Sequence, residues 1–172
     1  MDHVLTTERL VLRPVTADDH TALLAHWTMP TVRRFLFDGA ALSPAEVTET
    51  IGESIGDFAA GGYGIWLIEE AGRPGLVGTA GLRPLEALGL EIFYSLAPDS
   101  WGRGYATEAA RAVLAHALDA LGLPEVLAEV DEGNAASVAV VPGALGPMTR
   151  YRATSLLSPT FPAIAPLPEA GS

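Results

Sequence analysis

Cysteine is absent from the 172 residues. That excludes disulfides, thiolate metal sites and a cysteine nucleophile, and it fits a protein of the reducing cytoplasm. No apolar run approaches the ~18 residues needed to cross a bilayer. The opening MDHVLTTERL lacks the basic and apolar regions of a signal peptide, so a cytoplasmic protein with no membrane partner is expected. Basic residues are scarce: 10 Lys plus Arg stand against 21 Asp plus Glu, a net charge of −11. Nucleic acid is therefore not an expected partner, because phosphate contacts need clustered positive charge. A cationic amine, by contrast, would be drawn in over long range until salt screens the field. An acidic surface dispersed for solubility accounts for the same count. The four histidines (His3, His20, His26, His116) show no metal-ligand pairing, and no metal is expected.

What is present reads as one folded domain, with 49% hydrophobic residues and a length that supports a proper core. ERLVLRPV (8–15) alternates as a strand, Leu10 and Leu12 against Arg9 and Arg13. Thr16 and Asp19 form a weak capping box for a helix carrying Leu23, Leu24 and Trp27, which should end before Pro30. Ser43, Pro44 and Glu46 give a stronger start. Val47, Ile51, Ile55 and Phe58 follow as one apolar stripe, stopped by Gly61 and Gly62. Three strand-like runs, 63–70, 75–83 and 90–97, are joined by links short enough for antiparallel neighbours. Apolar residues from Ala106 to Leu121 then recur at i, i+3, i+4 and i+7, the clearest helix in the chain. A strand at 125–130 and a helix opening at Asn134 follow. The fold class is α+β, an antiparallel meander followed by a β-α-β unit. Residues 1–141 make up the ordered part. Residues 142–172 are an atypical Pro/Gly-rich segment of the same domain, expected to be loosely ordered, in which only 151–157 could form a strand. Pro142 should end the helix begun at Asn134 after about two turns.

SWGRGYATEA (100–109) sets two glycines one residue apart where a strand gives way to that clearest helix. A helix start leaves its first N–H groups unpaired and carries roughly half a positive charge. Glycine lets a phosphate approach such a backbone closely. A plain turn explains one glycine, but explains two with Arg103 between them less well. The dinucleotide fingerprint would need a third glycine where Thr107 stands, and a first glycine tight against the strand.

SLAPDSWGRGYATEA, followed by EGNAAS (132–137), resembles the acetyl-CoA signature of the GNAT N-acetyltransferase superfamily. TERLVLRPVTADD and WGRGYATEA look like its Rim-type branch, which acetylates ribosomal-protein N-termini and other amines. The resemblance covers about Thr7 to Ser137. It implies a GNAT-like acyl-CoA N-acyltransferase fold, with a mixed, mostly antiparallel sheet flanked by helices. The co-substrate it implies is acetyl-CoA. The pyrophosphate loop would fall on Trp101, Gly102, Arg103, Gly104, Tyr105 and Ala106. The strand that splays from its parallel neighbour and pairs with the pantetheine arm would be Tyr94, Ser95 and Leu96. Asn134 matches the asparagine that contacts the cofactor, and Ser137 the serine near the thioester sulfur. Each has a plainer explanation: Tyr94 and Leu96 alternate as strand core, Asn134 is a competent N-cap, and Ser137 could be an ordinary helix serine.

Acetyl transfer needs a neutral amine, a polarised carbonyl and a protonated leaving thiol. The N–H beside Leu96 could bond the carbonyl, and Ser137 could donate to the departing thiolate. Glu91, on the strand entering the site, is the candidate base, although a solvated strand glutamate would look the same. With no cysteine, direct attack by the amine is favoured over an acyl-enzyme. The expected activity is an acetyl-CoA-dependent N-acetyltransferase acting on a protein N-terminus or small-molecule amine, with a homodimer left open. VAVVPGALGPM departs from the family, which continues this helix to a Leu-Gly-Phe or Leu-Gly-Met end. The alternative is therefore a non-catalytic acyl-CoA-binding protein.

Overall fold

The computed structural model describes residues 3–33, 42–85, 89–123, 126–130, 149–153 and 164–166. The chain divides into two compact units, one formed by Met1–Leu82 with Phe93–Val113, the other by Arg83–Ile92 with Leu114–Ser172.

The first unit begins with β1 (Leu5–Thr6), antiparallel to β2 (Leu10–Pro14). Leu10 and Leu12 are fully buried on one face of β2, as their alternation predicts. A single 3₁₀ turn (Ala17–Asp19) leads into α1 (His20–Trp27). The capping box read from Thr16 and Asp19 is present, with Thr16 N–H donating to Asp19 at 2.8 Å. Arg13 forks onto the same carboxylate at 2.9 and 2.7 Å. Burial alone would raise the Asp19 pKa, but the bonds from Arg13 and Thr16 outweigh it and hold the carboxyl below its ordinary range. Helix α1 ends at Trp27 as predicted. A short helix that the sequence reading did not anticipate, α2 (Pro30–Arg33), starts at the proline itself, where the missing N–H costs nothing.

Helix α3 (Pro44–Gly61) is capped as predicted: Ser43 Oγ accepts from Glu46 N–H, and Glu46 accepts from Ser43 N–H, both at 3.1 Å. Its buried stripe is Val47, Ile51, Ser54 and Phe58, not Ile55, which is 49% exposed. Spacings of 4, 3 and 4 keep a residue over one face, whereas two successive fours drift about 80° around a helix of 3.6 residues per turn. The polar member is useful where it lies, because Ser54 Oγ accepts the N–H of Ile65 at 2.8 Å.

Antiparallel pairing continues from β2 to β3 (Ile65–Glu70), with Leu12 opposite Ile68, and from β3 to β4 (Arg73–Leu85), with Leu67 opposite Thr79. Strand β4 begins two residues earlier than expected, the register slipping around Glu69 where Pro74 cannot join the ladder. β5 (Gly89–Leu96) lies beside β4. The core gathers Val15, Leu23, Trp27, Val47, Ile51, Ile65, Leu67 and Phe93. Helix α4 (Tyr105–Ala115) buries Tyr105, Ala109, Ala110 and Val113 and runs on into a π-helical turn, His116–Ala120.

In the second unit the start of β5 pairs in parallel with β6 (Val126–Val130), while β7 (Thr149–Ala153) and β8 (Ile164–Pro166) add antiparallel. β7 begins earlier than the strand expected at 151–157, and β8 was not foreseen in so proline-rich a segment. The helix expected from Asn134 lies outside the described residues.

Ser54→Ala should cost about 1–3 kcal/mol by urea unfolding, since it strands the buried Ile65 N–H. Ile55→Ala should fall within about 0.5 kcal/mol of wild type. Equal losses at the two positions would contradict this packing.

Candidate active site

Between β5 and α4 the chain makes one 3₁₀ turn, Pro98–Ser100, closed by Trp101 N–H on Pro98 O at 3.1 Å. Residues 101–104 are exposed, and Gly102 and Gly104 sit at φ of 76° and 77°, where side chains are rarely tolerated. Glu108 N–H reaches back to Gly104 O at 3.1 Å. The first-turn N–H groups of α4 are therefore the orphans of a helix start and carry partial positive charge. Such a row suits the oxygens of a diphosphate, so the residues present fit the anionic part of coenzyme A.

This loop is braced from the N-terminal strand. Arg9 donates through Nε to Glu108 Oε1 at 2.8 Å and through Nη1 to the Arg103 carbonyl at 2.7 Å, with its guanidinium 4.7 Å from the centre of the Tyr105 ring. Glu108 Oε2 accepts from Arg9 N–H at 3.0 Å and also from the Thr7 hydroxyl. Burial would raise the Glu108 carboxyl, but the bonds from Thr7 and Arg9 prevail and keep it below its usual range. The bond to Glu108 in turn raises Arg9. Arg103 Nη1 reaches Glu70 at 3.3 Å.

Of the strand residues, Tyr94 and Ser95 are half-buried and Leu96 is buried. The parallel ladder with β6 pairs Glu91 with Leu127 and Ile92 with Ala128. Trp101 caps this end of the strand, its indole N–H donating to Leu96 O at 2.9 Å while its ring stays 51% exposed. On the β4 side, Ala97 N–H meets Val77 O at 2.8 Å, and a Cβ at Gly78 would strike the Ser95 carbonyl oxygen. The Ser95 hydroxyl belongs to a polar chain running from Trp27 Nε1 to Thr79 Oγ1 (3.2 Å), to Ser95 Oγ (2.9 Å) and to His26 Nε2 (2.8 Å). His26 Nδ1 is buried without a hydrogen-bond partner among the described residues. Burial lowers this imidazole from 6.5 to about 4, so it is neutral at physiological pH.

Glu91, in the second unit, is 6% exposed and takes Arg83 Nε at 2.6 Å. Asn134 and Ser137 lie outside the described residues. Arg9, Thr7, Glu108, Gly78 and His26 escaped the sequence reading as contributors here. Arg9 and Thr7 were visible as strand residues, but nothing in their spacing announces a partner about a hundred positions away. Among the described residues no helix is long and apolar enough to cross a membrane, and no acidic or histidine cluster could hold a metal ion.

Comparison with known proteins defines the class. The acetyltransferase (GNAT) domain model matches residues 9–142, and the chain belongs to this family, which uses acetyl-CoA. Its relatives include YoaA of Bacillus subtilis, an uncharacterized N-acetyltransferase, 34% identical over 140 residues covering 78% of this chain and 77% of YoaA. The structure of an acetyltransferase from Agrobacterium tumefaciens is 26% identical, with a TM-score of 0.74 over 88% of this chain and 94% of that one. RimL, a ribosomal alpha-N-protein acetyltransferase solved with coenzyme A, shares the fold with a TM-score of 0.67 at 18% identity, over 80% of each chain.

The His26 shift fixes a pH dependence. The unfolded chain gains this proton near pH 6.5 and the folded chain only near 4. The contribution of neutral His26 is thus complete above about 6.5 and is lost as pH falls toward 4, by about 3 kcal/mol at 1.36 kcal/mol per unit. His26→Gln should flatten unfolding free energy against pH across that window; an unaltered slope would remove His26 from the account.

Proposed function

We propose that this chain transfers the acetyl group of acetyl-CoA to a primary amine, a protein N-terminus or a small-molecule amine, by direct attack. One observation carries the reading: α4 starts directly after residues 101–104, which are exposed and have glycines at positive φ on both sides of Arg103, so the unpaired N–H groups of its first turn stand at the end of that loop. Gly102, Arg103, Gly104, Tyr105 and Ala106 hold the diphosphate with Trp101. Tyr94, Ser95 and Leu96 take the pantetheine arm, and Asn134 contacts the cofactor. When bound, acetyl-CoA supplies an activated thioester carbonyl.

The chain's own groups do the rest. The main-chain N–H at Leu96 bonds the carbonyl as charge builds there. Ser137 donates a proton to the leaving sulfur, and Glu91 accepts one from the amine. Glu91 Oε1 is taken by Arg83, so Oε2 is the atom for that task. The likeness to RimL supports an α-amino acceptor, and the net charge of −11 favours a cationic one. A cytoplasmic location agrees with the lack of cysteine.

The test is titration with CoA, followed by acetyl-CoA with an amine panel while free thiol is measured. Binding accompanied by thiol release is expected. Binding without release for any amine would favour a non-catalytic acyl-CoA-binding protein, and no binding would end both readings. Trp27 and Trp66 are fully buried, so a fluorescence change on adding CoA should come from Trp101 and vanish in Trp101→Phe. Gly104→Val should abolish binding, since the residue would have to hold φ at 77°. Ser137→Ala should slow turnover by about 10²-fold with CoA affinity retained.

A further inference from the structure

We infer that Arg9 is the positioning residue for the 101–106 loop: it fixes the Arg103–Gly104 peptide so that the loop's donors are set before the coenzyme arrives, an inference that rests on reading this loop as the diphosphate site. Two glycines at positive φ give the loop more backbone freedom than any other residue pair would, and a ligand that had to freeze it would lose affinity in doing so. Arg9 removes that freedom at one point. Its Nη1 holds the Arg103 carbonyl at 2.7 Å. In a planar trans peptide the C=O and the following N–H point in opposite directions. Anchoring the Arg103 carbonyl toward Arg9 therefore aims the Gly104 N–H away from it.

The strut is itself held at several points. Nε lies on Glu108 Oε1 at 2.8 Å, and the guanidinium sits over Tyr105. The Arg9 main chain is tied at both ends, its N–H on Glu108 Oε2 at 3.0 Å and its carbonyl accepting from Ala71 N–H at 2.8 Å. Thr7 bonds the same Glu108 oxygen. Arg9 has a second consequence. Glu108 places a carboxylate in the first turn of α4, where a diphosphate would be repelled, and Arg9 balances that charge. A lysine could balance it too, but could not reach both Glu108 and the Arg103 carbonyl with a rigid fork.

Wild type, Arg9→Ala, Arg9→Lys and Glu108→Gln are compared by CoA calorimetry. With whichever amine is turned over, kcat/KM is also measured for acetyl-CoA and for acetyl-pantetheine, which has no diphosphate. Arg9→Ala should raise the CoA Kd by about tenfold or more. It should lower kcat/KM for acetyl-CoA to a similar degree and leave that for acetyl-pantetheine within about twofold. Arg9→Lys should recover little of the loss, and Glu108→Gln should shift in the same direction by less. An unchanged CoA Kd in Arg9→Ala overturns the inference. So does an equal loss on both acyl donors, which would mark a general structural defect, and so does full rescue by lysine, which would leave charge alone. Failure of the wild type to bind CoA would instead refute the proposed function.

Discussion

A helix cannot pair the N–H groups of its first turn, and everything at this site is arranged around the four that α4 leaves open. Leaving them exposed to water costs little. Making them a site requires that they converge and that nothing else claims them. The 3₁₀ turn at Pro98–Ser100 sets the entry into the loop, and the two positive-φ glycines bend the chain so that the N–H groups precede the helix instead of following the strand. The exterior is acidic, so an anion is held here only if the field is reversed locally. Arg9 and Arg103 stand beside the loop with Glu108 and Glu70 as partners, and Arg73 also reaches Glu70 at 3.7 Å, so these ion pairs leave no negative excess. On the proposed reading, the helix dipole provides the remaining attraction at short range.

Strand β5 is under a different constraint. Its main chain approaches β4 so closely at Gly78 that no side chain is admitted there, and its Ser95 hydroxyl is locked in a buried chain of polar groups ending at His26. A neutral histidine suits this setting. It can join the chain through Nε2 in either hydrogen-bonding direction, whereas a charged one would bury a cation with no carboxylate beside it among the described residues. With Trp101 capping the Leu96 carbonyl, the strand end and the loop are joined by a single side chain.

Local signals were legible in the sequence; distant partners were not. The capping boxes at Thr16 and Ser43, the alternation of Leu10 and Leu12, and the helix after Gly104 follow from periodicity and cap chemistry within a few residues, and each appears in the structure. Hydrophobicity alone favours Ile55 for the stripe, but helical angle puts Ser54 there at the correct phase. Pro30 was read as a stop when it also serves as a start. The loop was visible as a motif, yet its brace was not. Arg9 reads as the polar face of a strand, and pairing with Glu108 is a property of the folded chain that no window of ten or twenty residues contains.

The proposed chemistry sets its own demand on the acceptor. At pH 7 an α-amino group of pKa about 7.7–8.0 costs about 1 kcal/mol to neutralise, and a lysine at about 10.4 costs roughly 4.6 kcal/mol. Glu91 is buried and shares one oxygen with Arg83, so the proton it takes must go to the other oxygen while the ion pair stays intact. An α-amine is mostly protonated at pH 7 but needs only about 1 kcal/mol to free its lone pair, a task a nearby carboxylate or a short water path can meet. The smaller cost of neutralising the amine therefore weighs, on this reading, toward α-amino acceptors.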